Sequence, residues 1–221
     1  MLERLIMGGW MMIPLGICSV LMVAVLIERA LAFSRNGRID TRTLRAKVRL
    51  LVAEGRLDEA LVLCSSTPSP VAAVLVVGLQ TYKRCQVMGV SRDMQRLMME
   101  KAMDDYTPQA LHAVELRLNW LATIANVAPL FGMTGTVTGM IRSFGSLSGA
   151  GSLDAGAVGA GISEALVATA SGLVLALCSL IPYNSFMNSV AKVNLAIGEA
   201  ASDLVQTAAM REENVTVVEC N

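Results

Sequence analysis

The sequence predicts an all-α membrane protein with three transmembrane helices that extend into a cytoplasmic helical domain. Hydrophobic residues make up 54% of the chain and charged residues only 16%, against about a quarter charged in ordinary globular domains. Two segments, residues 5–27 and 118–141, contain no charged residue, and a third, residues 158–181, contains only Glu164. Because about 20 apolar residues in a helix cross a bilayer, each segment is long enough to span it.

The three predicted spans divide the chain into six segments. These are an outer N-terminus with the first span (1–27), a cytoplasmic helical domain (28–117), the second span (118–144), a short periplasmic connector (145–157), the third span (158–183) and a cytoplasmic C-terminal helix and tail (184–221). A cleaved signal peptide is the alternative for the first span. Its apolar run is longer than the usual stretch of about 7–15 residues, and the charges of Glu3 and Arg4 cancel, so we interpret it as a retained helix.

The distribution of basic residues predicts the orientation. Residues 28–117 hold 14 of the 18 Lys and Arg residues, whereas the connector after the second span follows a single basic residue, Arg142. Basic loops stay in the cytoplasm. We therefore expect the N-terminus and the connector outside, and residues 28–117 and the C-terminal tail inside.

The segment between the first two spans is predicted to be helical at residues 41–53, 56–64 and 71–86. A turn at Pro68, Ser69 and Pro70 separates the last two of these helices, since each proline disfavours helix in the residue before it. Ser91 is a suitable N-cap for a further helix. That helix is predicted to run on, with a kink near Pro108, into the second span.

Apolar residues after the third span recur at alternating spacings of four and three. They are Phe186, Val190, Val193, Ile197, Ala200 and Leu204. A heptad-like stripe of this kind predicts that the third span continues as one helix and packs against another helix. The partner helix belongs either to the same chain, which is the commoner arrangement, or to another copy.

Polar side chains inside the predicted spans are the candidate functional residues. Glu164 is the most informative, because an intramembrane carboxylate is costly and usually faces a bundle interior or a water path. Hydroxyl groups add Thr134, Thr136 and Thr138 in the second span, and Thr169 and Ser171 in the third. The alternatives are that Glu164 reaches the outer interface and that each hydroxyl bonds a carbonyl of its own helix.

The helical period separates the candidates of the third span. At about 100° per residue, Glu164 and Ser171 share one face, whereas Thr169 lies about 140° from Glu164. We therefore expect either a wide pore or a contact between Thr169 and a neighbouring subunit.

Small residues predict close packing of the second and third spans. Gly135 and Gly139 are four residues apart, as are Ala168 and Gly172, and this spacing lets two helix backbones approach. Pro129 lacks a backbone N–H and is predicted to kink the second span. Together these residues indicate a polar-lined bundle.

No cofactor, bound metal or enzymatic activity is predicted. The five cysteines form no CxxC pair, and the chain contains one histidine. Residues 145–161 are rich in glycine, alanine and serine but lack the glycine patterns of a phosphate-binding loop, so we interpret them as a turn. A balance of 18 basic and 18 acidic residues argues against a nucleic-acid partner.

Two long motifs in the predicted spans resemble the signatures of the MotA/TolQ/ExbB proton-channel family. The second span reads LATIANVAPLFGMTGTVTGMIRSF at residues 121–144, and the third reads GISEALVATASGL at residues 161–173, with Tyr183 and Asn184 further on. With three predicted spans, the chain resembles the ExbB and TolQ branch of the family more than the flagellar stators, which have four. Thr134, Arg142 and Cys178 depart from the family pattern.

This resemblance implies a motor subunit. In the family, five such chains form a ring around single-span partners of the ExbD/TolR type, and proton flow drives work at the outer membrane through a TonB-like transducer. By position in the two motifs, Thr136, Glu164 and Thr169 correspond to polar residues of the ion path. The alternatives within the family are a TolQ-like subunit for envelope maintenance and a gliding-type motor subunit. Outside it, the alternative is a membrane scaffold that conducts no ion.

Overall fold

The structure is a computed structural model that describes residues 9–36, 41–149 and 155–219. Over these residues the chain forms seven helices: α1 (Met12–Asn36), α2 (Thr41–Ala53), α3 (Leu57–Ser66), α4 (Pro70–Met88), α5 (Arg92–Glu115), α6 (Leu118–Gly149) and α7 (Ala155–Glu219). The predicted all-α fold is confirmed. The chain divides into two compact units, of which the first contains most of α1, α6 and the part of α7 up to Met187.

Three of the helices are long and apolar enough to cross a membrane. The apolar stretches are Met12–Leu31 in α1, Leu118–Gly145 in α6 and Val158–Arg211 in α7. The 65 residues of α7 form one continuous helix, as the sequence predicted. Its apolar stretch covers 54 residues, more than the roughly 20 that one crossing of a bilayer takes.

The second unit is a helical domain built from α2 to α5 and from the part of α7 that begins at Asn188. Its core contains Leu75, Leu79 and Met103 from α4 and α5, each at most 2% exposed. Ile197, Ala200 and Leu204 of the heptad-like stripe belong to the same core. The stripe therefore packs within its own chain, which was the commoner of the two predicted arrangements.

An ion-pair network joins α2 to α7 at the edge of this core. The Arg45 guanidinium donates to the Asp203 carboxylate at 2.6 Å and to the Glu199 carboxylate at 2.5 Å. The hydrogen bond to Asp203 is the main cause that raises the pKa of Arg45 above its ordinary value. Inside the core, burial raises the pKa of the Cys64 thiol to about 11, so this cysteine stays protonated at neutral pH.

Local sequence explains where the helices of the second unit begin and end. Gly55 adopts φ +85° and reverses the chain between α2 and α3. Pro70 occupies the first turn of α4, where its missing N–H has no helical partner to lose, and Gly89 ends that helix in the left-handed conformation at φ +64°. Ser91 precedes α5 at the N-cap position, but its side chain makes no capping hydrogen bond.

Two predicted boundaries differ from the observed ones. The predicted run of the helix after Ser91 into the second span is wrong, because turn residues 116–117 separate α5 from α6, and Pro108 lies inside α5. Met103 on one side of the proline and Leu111 on the other pack against the same core, and this packing keeps the helix continuous through Pro108. Helix also extends into the predicted small-residue turn from both sides, since α6 ends at Gly149 and α7 begins at Ala155. Ala155, Ala157 and Ala160 favour helix at the start of α7, whereas residues 145–149 contain no alanine and their helical conformation has no such local cause.

Truncating Leu79 is expected to destabilise the second unit. This side chain is 0% exposed, so Leu79→Ala removes buried methyl groups and leaves a cavity that costs about 2–5 kcal/mol. The measurement is the thermal unfolding midpoint of the detergent-solubilised protein. Leu50→Ala is the matched control, because Leu50 is 63% exposed and its truncation should leave the midpoint nearly unchanged. Equal midpoint shifts in the two variants would contradict the assigned core.

Candidate functional site

Helices α6 and α7 approach each other through glycine and alanine residues. A Cβ atom added at Gly172 would lie 2.6 Å from the carbonyl oxygen of Ala128, and one added at Gly135 would lie 2.8 Å from the Cβ of Ala168. At Gly139 the nearest atom is the Cβ of Ala165, at 2.7 Å. The two backbones are therefore close enough for side-chain atoms of one helix to reach carbonyls of the other.

Thr169 uses this proximity to form a hydrogen bond between the two helices. Its hydroxyl donates to the carbonyl oxygen of Gly132 on α6 at 2.8 Å. In an α-helix the same carbonyl accepts the backbone N–H of the residue four positions on, which is Thr136. The helical period predicted a wide pore or a contact with a neighbouring subunit, and it did not reveal this bond within the chain.

Glu164 forms an ion pair with Arg142 across the same helix pair. The Arg142 Nη1 atom lies 3.2 Å from the Glu164 Oε1 atom, and the side chains are 64% and 27% exposed, respectively. Trp10, Met11 and Thr138 join the pair around a narrow cleft of about 10 Å³, which is near the lower limit for one water molecule. On its other side the Glu164 carboxylate contacts Gly9, whose φ of +69° and lack of a Cβ allow this approach.

The three threonines of α6 bond carbonyls of their own helix. Thr134 donates to Leu130, Thr136 to Met133, and Thr138 to both Thr134 and Gly135, at distances between 2.7 and 3.1 Å. This is the simple alternative weighed for hydroxyls in a span. Of the three, only Thr138 lines the cleft around Glu164.

Ser171 lies in a different environment from Thr169. It lines a largely apolar groove of about 830 Å³ between α1 and α7, together with Gly9, Ser19 and Cys178. Gly9 thus borders both this groove and the Glu164 carboxylate. The structure brings Glu164 and Thr138 together, whereas Thr169 faces α6 and Ser171 faces α1.

Two buried serines were missed by the sequence analysis. Ser179 is 0% exposed and donates to the carbonyl oxygen of Leu121 at 2.7 Å, and Ser143 is 3% exposed and donates to that of Gly139 at 3.0 Å. Ala165, Gly172 and Ser179 are small residues that follow one another at intervals of seven. Extending this spacing by seven residues beyond Gly172 would have indicated Ser179 as a residue of the same helix contact.

These features define an all-helical membrane protein with polar and ionised side chains along a closely packed pair of membrane helices. Residues 66–198 match the MotA/TolQ/ExbB proton channel family. The matched region covers more than half of the chain, and the chain belongs to this family.

Two relatives in the cyanobacterium Synechocystis sp. match most of the chain. The putative biopolymer transport protein ExbB-like 1 is 30% identical over 190 residues, which cover 83% of this chain and 69% of that protein. The putative biopolymer transport protein ExbB-like 3 is 34% identical over 184 residues, or 81% of each chain. The Tol-Pal system protein TolQ of Haemophilus influenzae is 40% identical over 84 residues, which cover 38% of this chain and 37% of TolQ.

Adding a methyl group at Gly172 is expected to disrupt the α6–α7 contact. Gly172→Ala places a Cβ against the backbone of α6, which cannot yield as a flexible side chain would, and overpacking of this kind costs about 1–3 kcal/mol. The measurement is the thermal midpoint of the solubilised protein. Gly16→Ala in α1 is the control, since a Cβ there has no neighbour within 4 Å. A Gly172→Ala protein as stable as Gly16→Ala would contradict the close approach.

Proposed function

We propose that this chain is the ring subunit of a motor in the bacterial inner membrane that is driven by the proton-motive force and energises transport across the outer membrane. In this proposal it works in the manner of ExbB with ExbD and TonB. Membership of a proton channel family and similarity to the two proteins named putative biopolymer transport protein ExbB-like support it. The chain itself supplies part of the ion path and catalyses no reaction.

The carboxylate of Glu164 is the observation that carries the proposal. It lies within the apolar stretch of α7, is partly exposed, and pairs with Arg142, so it offers oxygen ligands to an ion that enters between the helices and takes the place of the guanidinium. An ionisable group in a membrane span is costly, and such groups usually serve ion movement. A carboxylate can also take up and release a proton, which suits it to a proton path.

The proposed ion path comprises Thr136, Glu164 and Thr169. Glu164 sets the electric field at the outer mouth, and the hydroxyl oxygens solvate or relay the ion deeper in the span. Thr134, Thr138 and Ser171 are further candidates for pore-lining positions. Because a hydroxyl both donates and accepts, a threonine that bonds a carbonyl in the resting chain still offers its oxygen lone pairs to a passing proton or water.

The proposed assembly is a homopentamer around a single-span partner of the ExbD/TolR type, coupled to a TonB-like transducer. Apolar side chains on α1 and α7 remain exposed in the single chain, among them Val20, Ile27, Leu173 and Leu177. Lipid covers part of this surface in the proposal, and neighbouring copies cover the rest. Native mass spectrometry of the solubilised complex tests the stoichiometry, with five chains of 23.4 kDa as the expected count.

A TolQ-like role in envelope maintenance is the second candidate function. This chain is 40% identical to TolQ of Haemophilus influenzae within the 84 residues that the two share, and this identity favours the TolQ-like role. A gliding-type motor is a further alternative among motor subunits of this kind. Deletion strains separate these functions: loss of iron–siderophore uptake supports the ExbB-type role, and detergent sensitivity supports the TolQ-type role.

Removing the carboxylate or the cross-helix hydroxyl is expected to abolish energised uptake. Glu164→Ala and Thr169→Val should reduce uptake to background in cells, because the ion loses its charged and hydroxyl ligands. Glu164→Gln should fail as well, since an amide cannot carry a proton in the same way. Thr169→Ser keeps the hydroxyl and should retain activity.

Assembly is the control for these variants. Native mass spectrometry should give the same stoichiometry for each variant as for the unmodified chain. Full uptake in both Glu164→Ala and Thr169→Val would refute the ion-path assignment. A fully active Glu164→Gln protein would instead favour a membrane scaffold in which Glu164 only holds the helices together.

Cysteine labelling tests the proposed orientation. A cysteine introduced at Ser148 should react with an impermeant thiol reagent added outside spheroplasts, whereas one introduced at Val87 should not. Val87 is 84% exposed and is therefore a better inner reporter than the native Cys85, which is 1% exposed and would resist labelling from either side. The opposite labelling pattern would contradict the proposed topology.

A further inference from the structure

We propose that Arg142 is the resident counter-ion of Glu164 and controls how readily a cation enters the outer end of the ion path. This inference rests on the proposed function and assigns a positioning residue to it. The ion path described above gives Arg142 no role. Its guanidinium nevertheless lies 3.2 Å from the carboxylate on which the proposed function depends.

The register of α6 brings Arg142 to this position. Gly135, Thr138, Gly139 and Arg142 follow at spacings of three, one and three, and all four line the cleft that contains Glu164. Gly139 fixes the distance between the helices, because a Cβ added there would lie 2.7 Å from the Cβ of Ala165. One turn further along α6, the Arg142 side chain therefore lies opposite the first turns of α7 and reaches Glu164 at 3.2 Å.

Arg142 and Glu164 are the only charged side chains that line this cleft among the described residues. The residues just before α1 contribute Gly9, Trp10 and Met11, none of which is titratable. Helix α6 contributes Thr138 as a neutral neighbour. The carboxylate therefore meets one cation from its own chain and uncharged groups from every other described element packed against it.

A fixed positive charge at this point has two consequences for an incoming cation. Arg142 neutralises the carboxylate, so an ion must displace it before the carboxylate can act as a ligand. The guanidinium also lowers the local concentration of cations, because a low-dielectric cleft concentrates the electric field of a charge that lies at its mouth. A guanidinium only donates hydrogen bonds and has no acceptor atom, so it opposes cation entry without acting as a ligand for the ion.

The competing interpretation is a clamp that only ties the outer ends of α6 and α7 together. A clamp predicts that loss of Arg142 lowers the amount of assembled complex and leaves the ion flux per complex unchanged. The counter-ion role predicts the opposite: normal assembly, together with a changed flux that depends on the presence of Glu164.

Proton uptake into proteoliposomes distinguishes the two roles. The full-length chain is co-purified with its ExbD/TolR-type partner, and uptake is followed with an internal pH-sensitive dye under an imposed membrane potential, normalised to assembled complex. Arg142→Gln should raise the uptake rate roughly tenfold. Arg142→Lys, which keeps the positive charge, should remain near the unmodified rate.

A double variant tests whether the effect acts through Glu164. Glu164→Asp keeps the carboxylate but shortens the side chain by one methylene and so lengthens the pair. In this background Arg142→Gln should raise the uptake rate clearly less than tenfold, because coupled residues have non-additive effects. Arg96→Gln is the matched control: Arg96 pairs with Glu100 at 3.1 Å and is 66% exposed, close to the 64% of Arg142, but it belongs to α5. It should leave uptake unchanged.

Three results would overturn the inference. They are an Arg142→Gln rate equal to the unmodified rate, a full tenfold increase that persists in the Glu164→Asp background, and an Arg142→Lys protein as leaky as Arg142→Gln. If instead the unmodified complex takes up no protons and Glu164→Gln makes no difference, the proposed function fails and this inference fails with it.

Discussion

The close approach of α6 and α7 is the constraint on which the candidate site depends. Glycine and alanine residues bring the two backbones into contact, and a Cβ at Gly172 would lie within 2.6 Å of a carbonyl oxygen of α6. Hydrocarbon gives helices no hydrophobic reason to associate, so van der Waals packing of small residues and hydrogen bonds between helices must hold the pair together. The bond from Thr169 to Gly132 and the ion pair between Arg142 and Glu164 both require this short distance.

One helix, α7, contributes to both compact units through a change in side-chain size along its length. In the first unit its contacts with α6 are made by Ala165, Ala168 and Gly172, which suit packing inside a membrane. In the second unit its buried residues include Ile197 and Leu204, which join an apolar core of the kind found in water-soluble helical domains. The same helical period therefore supports two kinds of packing. Close backbone contact stabilises helix pairs in lipid, and burial of large apolar side chains stabilises helical domains in water.

Polar groups in the spans fall into two energetic classes. The threonine hydroxyls of α6 bond carbonyls one turn back, so each is satisfied within its own helix and has little effect on packing. Glu164 cannot be satisfied in this way, because a carboxylate only accepts hydrogen bonds and the helical N–H groups beside it are already used. It pairs instead with Arg142 from the neighbouring helix, at 3.2 Å.

The sequence by itself determined the all-α class, the three apolar stretches, the continuous third helix and the candidate residue Glu164, because hydropathy, helical period and the cost of a buried charge are local properties of the chain. It also gave the small-residue motifs, including Gly135 and Ala168. The tertiary structure decided that Thr169 bonds Gly132, that Arg142 pairs with Glu164, that Ser179 is buried, and that packing on both sides of Pro108 keeps α5 helical. Each of these depends on which atoms of another helix lie within a few ångströms, and the spacing of residues along one helix does not contain that information.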